Sequence, residues 1–151
     1  MNKKVVLISC VSKKLTAPAP AKDLYISPYF KYNLKYARML KPDDIFILSA
    51  LYGLVPLDKT IEPYNLTLNT MKSNEIKEWA DKVLVDLGKV TDIKDTDFIF
   101  LAGNNYRKFL IPYLGAYQVP FEGLGIGRQL GKLKDLTSRE NPMFDSLFDN
   151  I

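Results

Sequence analysis

The chain has 151 residues, 47% hydrophobic and 25% charged, the size and mix of one domain with a substantial core. A single cysteine and no histidine exclude an intramolecular disulfide and any imidazole-based triad, and argue against a zinc or haem site. The net charge of +4 permits a polyanionic partner without requiring one, and no apolar run approaches the roughly 20 residues of a membrane span.

Val5-Val6-Leu7-Ile8 is an unbroken apolar run, the pattern of a strand buried on both faces. It passes into Ser9-Cys10-Val11-Ser12-Lys13-Lys14, a segment crowded with hydrogen-bond donors. A stiff arm follows, Ala17-Pro18-Ala19-Pro20, and then Lys22-Asp23-Leu24-Tyr25. Ser27-Pro28 reads as an N-cap with proline at the first helical position. Phe30, Leu34, Ala37 and Leu40 recur at helical spacing until Lys41-Pro42 stops the helix.

Ile45-Phe46-Ile47-Leu48 predicts a second buried strand, ending in Ser49-Ala50-Leu51-Tyr52-Gly53. Leu54 to Met71 has no clear period and reads as a long functional loop with one short helical turn. Ile76, Trp79, Ala80, Val83, Leu84 and Leu87 form an amphipathic helical stripe. Phe98-Ile99-Phe100-Leu101 is a third strand, leading into Ala102-Gly103-Asn104-Asn105. Tyr106, Phe109, Leu110, Tyr113 and Leu114 predict a further helix capped by Gly115. Gln118-Val119-Pro120-Phe121 is a short fourth strand. The glycine-rich Glu122 to Gly127 then opens a last helix carrying Leu130, Leu133 and Leu136.

The expected fold is therefore a single α/β domain over residues 1–151, with a central parallel sheet of about four strands and helices on both faces. In open sheets of this kind ligands bind at the carboxyl ends of the strands. Those ends are Ser9-Cys10-Ser12, Ser49-Tyr52-Gly53, Gly103-Asn104-Asn105 and Glu122-Gly123-Gly125, so all four share one rim.

Each rim motif has a functional and a plain reading. Cys10 is a small buried residue or a nucleophile, and with no histidine as base, covalent chemistry is not expected. Ser12, Lys13 and Lys14 form a phosphate cradle or a solvated loop, without the glycines of a Walker motif. Asp23 is a general base, or a capping or salt-bridging residue, and Glu62 in Glu62-Pro63-Tyr64 is a second carboxylate of the same kind. A carboxylate pair around one cleft suits hydrolysis at an anomeric carbon. Asn104, after Gly103, reads a base edge or caps a helix. Gly125, with Arg128 and Gln129 beside it, permits close approach to a sugar-phosphate. The spacing around it departs from the dinucleotide fingerprint, so no nicotinamide is expected. Tyr25, Tyr52, Tyr64 and Tyr106 are stacking platforms or packing residues.

Taken together, Ser9-Cys10-x-Ser12-Lys13-Lys14, Ala19-Pro20-Ala21-Lys22-Asp23-Leu24-Tyr25-x-Ser27 and Leu48-Ser49-Ala50-x-Tyr52-Gly53-Leu54 carry a family resemblance. Glu62-Pro63-Tyr64, Leu101-Ala102-Gly103-Asn104-x-Tyr106 and Gly123-x-Gly125-Ile126-Gly127-x-Gln129-Leu130 complete it. The set resembles a small bacterial and phage-borne family of YaaA-like domains, distantly similar to a domain of archaeosine synthases. It covers residues 4–135 and leaves 137–151 as a C-terminal extension.

The resemblance implies a fold similar to the uracil-DNA glycosylase superfamily and a tie to nucleic-acid bases. The expectation that follows is a DNA glycosylase-like enzyme hydrolysing the N-glycosidic bond of a flipped, modified base, in phage defence. Asp23 would be the principal carboxylate, Glu62 the second, and Asn104 the base reader. Lys13, Lys14 and Arg128 would contact phosphates. The alternatives are a non-catalytic nucleic-acid or nucleotide-binding module, a base-modifying transferase like archaeosine synthase, and a structural or regulatory protein. The expected partner is DNA ahead of RNA, or a nucleotide, with no membrane, metal or cofactor. The sequence leaves the oligomeric state open, and with no secretory apolar region the expected location is the cytoplasm.

Overall fold

In the computed structural model, which describes residues 2–138, the first apolar run becomes β1 (Lys3–Ser9), with Val5 to Ile8 fully buried. The arm supplies β2 (Ala19–Pro20) and α1 (Ala21–Leu24), followed by α2 (Pro28–Met39). Ser27 caps α2, its Oγ accepting from the Phe30 amide at 3.2 Å, and Pro28 occupies a position where its missing N–H costs nothing. Next come β3 (Asp44–Ser49), β4 (Gly53–Pro56), β5 (Thr60–Ile61) and a 3-10 turn at Leu68–Thr70. The chain continues as α3 (Ser73–Val90), β6 (Thr96–Leu101) and α4 (Asn104–Arg107). A 3-10 turn at Ile111–Tyr113, β7 (Ala116–Gln118) and α5 (Ile126–Ser138) complete it.

The main sheet has the order β4-β3-β1-β6-β7, parallel throughout except for the antiparallel β3–β4 pair, and β2 pairs separately with β5. Strand side chains alternate between faces, and here both faces are apolar. Leu7 lies between Phe46 and Phe100 in register and joins Val83 and Leu87 of α3 on one side. Ile8 lies between Ile47 and Leu101 and joins Phe30 and Leu34 of α2 and Leu133 of α5 on the other. Fully burying each such side chain contributes about 1.5–3 kcal/mol, so the two layers together dominate the fold's stability.

The structure departs from the sequence reading in five places. The sheet has five strands rather than about four, because the segment after Ser49 turns back as β4. Gly53 has a φ of +74° and sits opposite Ser49, closing a short hairpin that needs a left-handed residue. The segment from Leu54 to Met71 is accordingly a strand, a short paired strand and a turn rather than one long loop.

The helix expected from Tyr106 to Leu114 stops after one turn. Pro112 has no N–H to donate, and its ring would clash one turn back, so the chain changes to a 3-10 turn. Gly115 is not a left-handed cap; its role is close packing against another segment. The edge strand lies at Ala116–Gln118, ahead of Pro120, which cannot donate to a ladder. Of the expected C-terminal extension, 137–138 end α5 and 139–151 lie outside the described residues.

Candidate functional site

From β1 the chain crosses to β3 on one side and then returns past β1 to β6 on the other, with α2 and α3 on opposite faces of the sheet. The order reverses at β1, and this is where doubly wound sheets open a crevice beyond their carboxyl ends. A cleft of about 430 Å³ is found there. Ser9 at the end of β1 with Cys10, Ser12 and Lys14 after it, Gly103 and Tyr106 after β6, and Gln129 of α5 all line it.

Beneath Cys10 lies a chain of hydroxyls. The Ser49 hydroxyl donates to the Tyr64 hydroxyl at 2.7 Å and accepts from the Tyr52 amide at 3.0 Å, while Tyr25 and Tyr64 share a hydrogen bond of 2.7 Å. The Cys10 thiol donates to the Tyr106 hydroxyl at 3.5 Å, which also accepts from the Leu68 amide at 3.2 Å and lies 3.4 Å from Thr67 Oγ1. Lys14 Nζ sits 4.3 Å from the centre of the Tyr64 ring and 5.7 Å from that of Tyr25, within cation–π range. No carboxylate among the described residues pairs with it. Burial lowers the Lys14 pKa, with the charge of Cys10 opposing the shift.

Burial pushes the hydroxyls of Tyr25 and Tyr64 well above the ordinary tyrosine range and that of Tyr106 up to about 12; Tyr29 and Tyr36 shift the same way. The folded pKa values exceed the unfolded value of 10.0, so the native state keeps protons that the unfolded chain has lost. This stabilisation is complete below pH 10 and is expected to drain away as pH rises through about 12. An alkaline titration should show these five tyrosines ionising late and together with loss of the near-ultraviolet dichroism. Reversible ionisation of all nine tyrosines near pH 10 in a native spectrum would refute it.

The cleft gathers only part of the expected site. Besides the seven residues above, Asn104 lines a smaller adjoining cavity that shares Gly103 and Gln129 with the cleft. Ser49, Tyr25, Tyr52 and Tyr64 lie behind the wall, as the hydroxyl cluster and its ring contacts. Gly53 is buried in its hairpin, while Lys13, Gly125 and Arg128 are exposed and line neither cavity.

Neither expected carboxylate lines the cleft. Asp23 is exposed on α1, and its charge acts on Arg38 near the far end of α2, while the neighbouring Lys22 pairs with Asp58 at 3.3 Å. Glu62 is exposed, although its carbonyl accepts from the Tyr52 hydroxyl at 3.5 Å. Among the described residues, no group of three or more metal-ligating side chains is assembled.

The structure adds residues that the pattern did not single out. Thr67 and Asn69 face the cleft from the 3-10 turn, Asn69 accepting from the Asn105 amide at 2.9 Å. Tyr29 of α2 donates to Gln129 Oε1 at 2.6 Å, and Gln129 Nε2 donates to the Leu124 carbonyl at 2.7 Å, so the amide is held from both ends. Tyr29 also lines the cleft, although in the sequence it is only a residue beside a helical stripe.

These features define a single-domain, doubly wound α/β protein with a ligand-sized cleft of mixed polar and apolar lining at its switch point. Residues 5–135 match a family of unknown function, DUF6884, and the chain belongs to it. It is also similar to the uncharacterized protein YfjM of Bacillus subtilis (strain 168), at 27% identity over 129 residues, covering 77% of this chain and 80% of that protein. No solved structure matches the chain significantly. Among the described residues, no helix is long and apolar enough to cross a membrane.

Proposed function

We infer that the cleft binds a nucleobase, carried by a nucleotide or flipped out of a DNA strand. The observation that carries this reading is the polar set on a wall that also carries Val11, Leu66 and Ile126: Ser and Thr hydroxyls, a clamped Gln129 amide and the Lys14 ammonium, with no lining carboxylate among the described residues. Hydroxyls and amides supply donors and acceptors to a base edge, and the cation favours an anionic ligand. The supporting phenols are neutral at physiological pH, as tyrosines are, and add no negative charge beside a phosphate.

The resemblance to YaaA-like domains and to the uracil-DNA glycosylase superfamily supports the same class of ligand. It also supplies a second reading, hydrolysis of the N-glycosidic bond, in phage defence. Neither expected carboxylate lines the cleft, and Glu62 is the one to test first because its backbone carbonyl accepts from Tyr52 of the tyrosine cluster. The location that suits either reading is the cytoplasm.

Calorimetry with nucleosides, nucleotides and short DNA strands at two salt concentrations tests the binding. Binding is expected, steeper in salt for the strands, and Lys14→Met should weaken the anionic ligands about tenfold. Equal behaviour of wild type and Lys14→Met, or no binding to any of these ligands, would remove the reading. Mass spectrometry of the same DNA mixtures separates the two functions, because only hydrolysis releases a free base, and Glu62→Gln should then abolish release.

A further inference from the structure

The smaller cavity, about 130 Å³, has a feature that base recognition does not use. Its wall contains Arg107, an arginine only 9% exposed. A guanidinium carries five N–H donors. In Arg107 one of them, on Nη2, reaches Glu122 Oε2 at 3.3 Å, and no other described side chain or carbonyl accepts from the rest. The Glu122 side chain is itself 70% exposed, so its hold is that of a solvent-screened surface pair. A nearly buried cation on the cavity wall, with its remaining donors met by no described protein acceptor, suits a ligand that can take two of them at once. Phosphate and carboxylate oxygens have that geometry.

We propose that this cavity is a phosphate subsite in which Arg107 binds the phosphate of the ligand whose base occupies the main cleft. The inference rests on the binding reading above, and the shared wall of Gly103 and Gln129 is what joins the two ends of one ligand. Glu122 acts as a displaceable stand-in: it occupies one donor in the free protein and swings into solvent when an anion arrives. This assigns the phosphate contact to Arg107 in place of the exposed Arg128.

The test is a nitrogen-15 NMR titration of the full chain with inorganic phosphate, against chloride at matched ionic strength. Saturable shifts are expected at the Gly103, Asn104 and Gly123 amides and at the Arg107 side chain, with Arg107→Lys weakening phosphate about tenfold. Because a buried arginine can be needed for folding, Glu122→Gln provides the second arm; it changes an exposed residue and should tighten phosphate several-fold by freeing the donor. Shifts equal in chloride, shifts confined to surface lysines, or a Glu122→Gln variant that binds phosphate no better would each overturn the proposal.

Nucleosides without phosphate probe the main cleft separately. Phosphate binding without nucleoside binding keeps the subsite and removes the base reading, whereas nucleoside binding without phosphate binding removes the subsite. Nucleoside monophosphates and short single strands then distinguish a free nucleotide from a nucleic-acid backbone as the source of the phosphate.

Discussion

Gly115→Ala is expected to destabilise the protein by about 3 kcal/mol, enough to consume a large share of a small domain's stability. Any Cβ at this position would fall on the Lys94 carbonyl oxygen, with the carbonyl carbon at 2.7 Å and the Lys94 Cα at 3.1 Å. Every one of these atoms is backbone, so no rotamer change relieves the clash. The Gly115 amide also donates to the Ile93 carbonyl at 3.0 Å, a bond that brings the chain alongside β6 just before β7 begins. Urea unfolding monitored by circular dichroism measures the loss. Gly88→Ala is the matched control, since it lies in α3 with open space around it and should stabilise by about 0.5–1 kcal/mol. If both variants unfolded at the wild-type midpoint, the close approach at Gly115 would not be a constraint.

Tyr64→Phe is the second large effect. The change removes one oxygen to which both Ser49 Oγ and the Tyr25 hydroxyl bond, and both residues have no exposed surface; Ser49 Oγ keeps only the bond it accepts from the Tyr52 amide. Leaving buried donors unpaired costs about 1–3 kcal/mol for each such group, more than the deleted hydrogen bond itself contributes. The double variant Tyr25→Phe/Tyr64→Phe should therefore be less destabilised than the sum of the single variants, a coupling that a double-mutant cycle in urea reads directly. Additive losses would show that the two phenols are independent. The tyrosine titration provides a second readout: with Tyr64 replaced, the Tyr25 hydroxyl loses a partner that lowers its pKa, and it should ionise at still higher pH.

The sheet was legible because its three central strands are buried on both faces, and such strands must be apolar without interruption, as Val5–Ile8, Ile45–Leu48 and Phe98–Leu101 are. The stripes of α2 and α3 were legible for the equivalent reason at helical spacing. β4 was not, since four residues ending in Pro56 carry too short a pattern to separate from the turn before them. At Tyr106–Leu114 the apolar spacing is real and its residues do enter the core, but it says nothing about whether Pro112 lets one helix reach all of them.

The rim follows from topology, which is why Ser9, Cys10 and Gly103, at the ends of two neighbouring strands, line one cleft. Asp23 and Glu62 stand out in the sequence by their chemistry, and chemistry does not state direction: the short α1 leaves the first on the surface beside Arg38's field. Arg107 was hidden in the opposite way. A lone arginine after a helix start looks like an ordinary surface charge until the fold buries it.

The segment between Lys14 and Tyr25 is closed at its base by an antiparallel bridge, with the Leu15 amide donating to Leu24 and the Ile26 amide to Lys13. Further along, Ala21 and Lys22 are tied to Lys59 and Leu57. Thr16, Ala17 and Pro18, in contrast, stand in solvent. The tip is thus mechanically separate from Lys14, which the bridge holds in the cleft wall. Doubling the length of such a loop costs only about 0.6 kcal/mol, so extra residues or a fluorescent label between Thr16 and Ala17 should leave the ligand site intact while staying one short ladder away from it. That makes the tip a natural port for a reporter, and a position where the chain can gain length without re-engineering the site it borders.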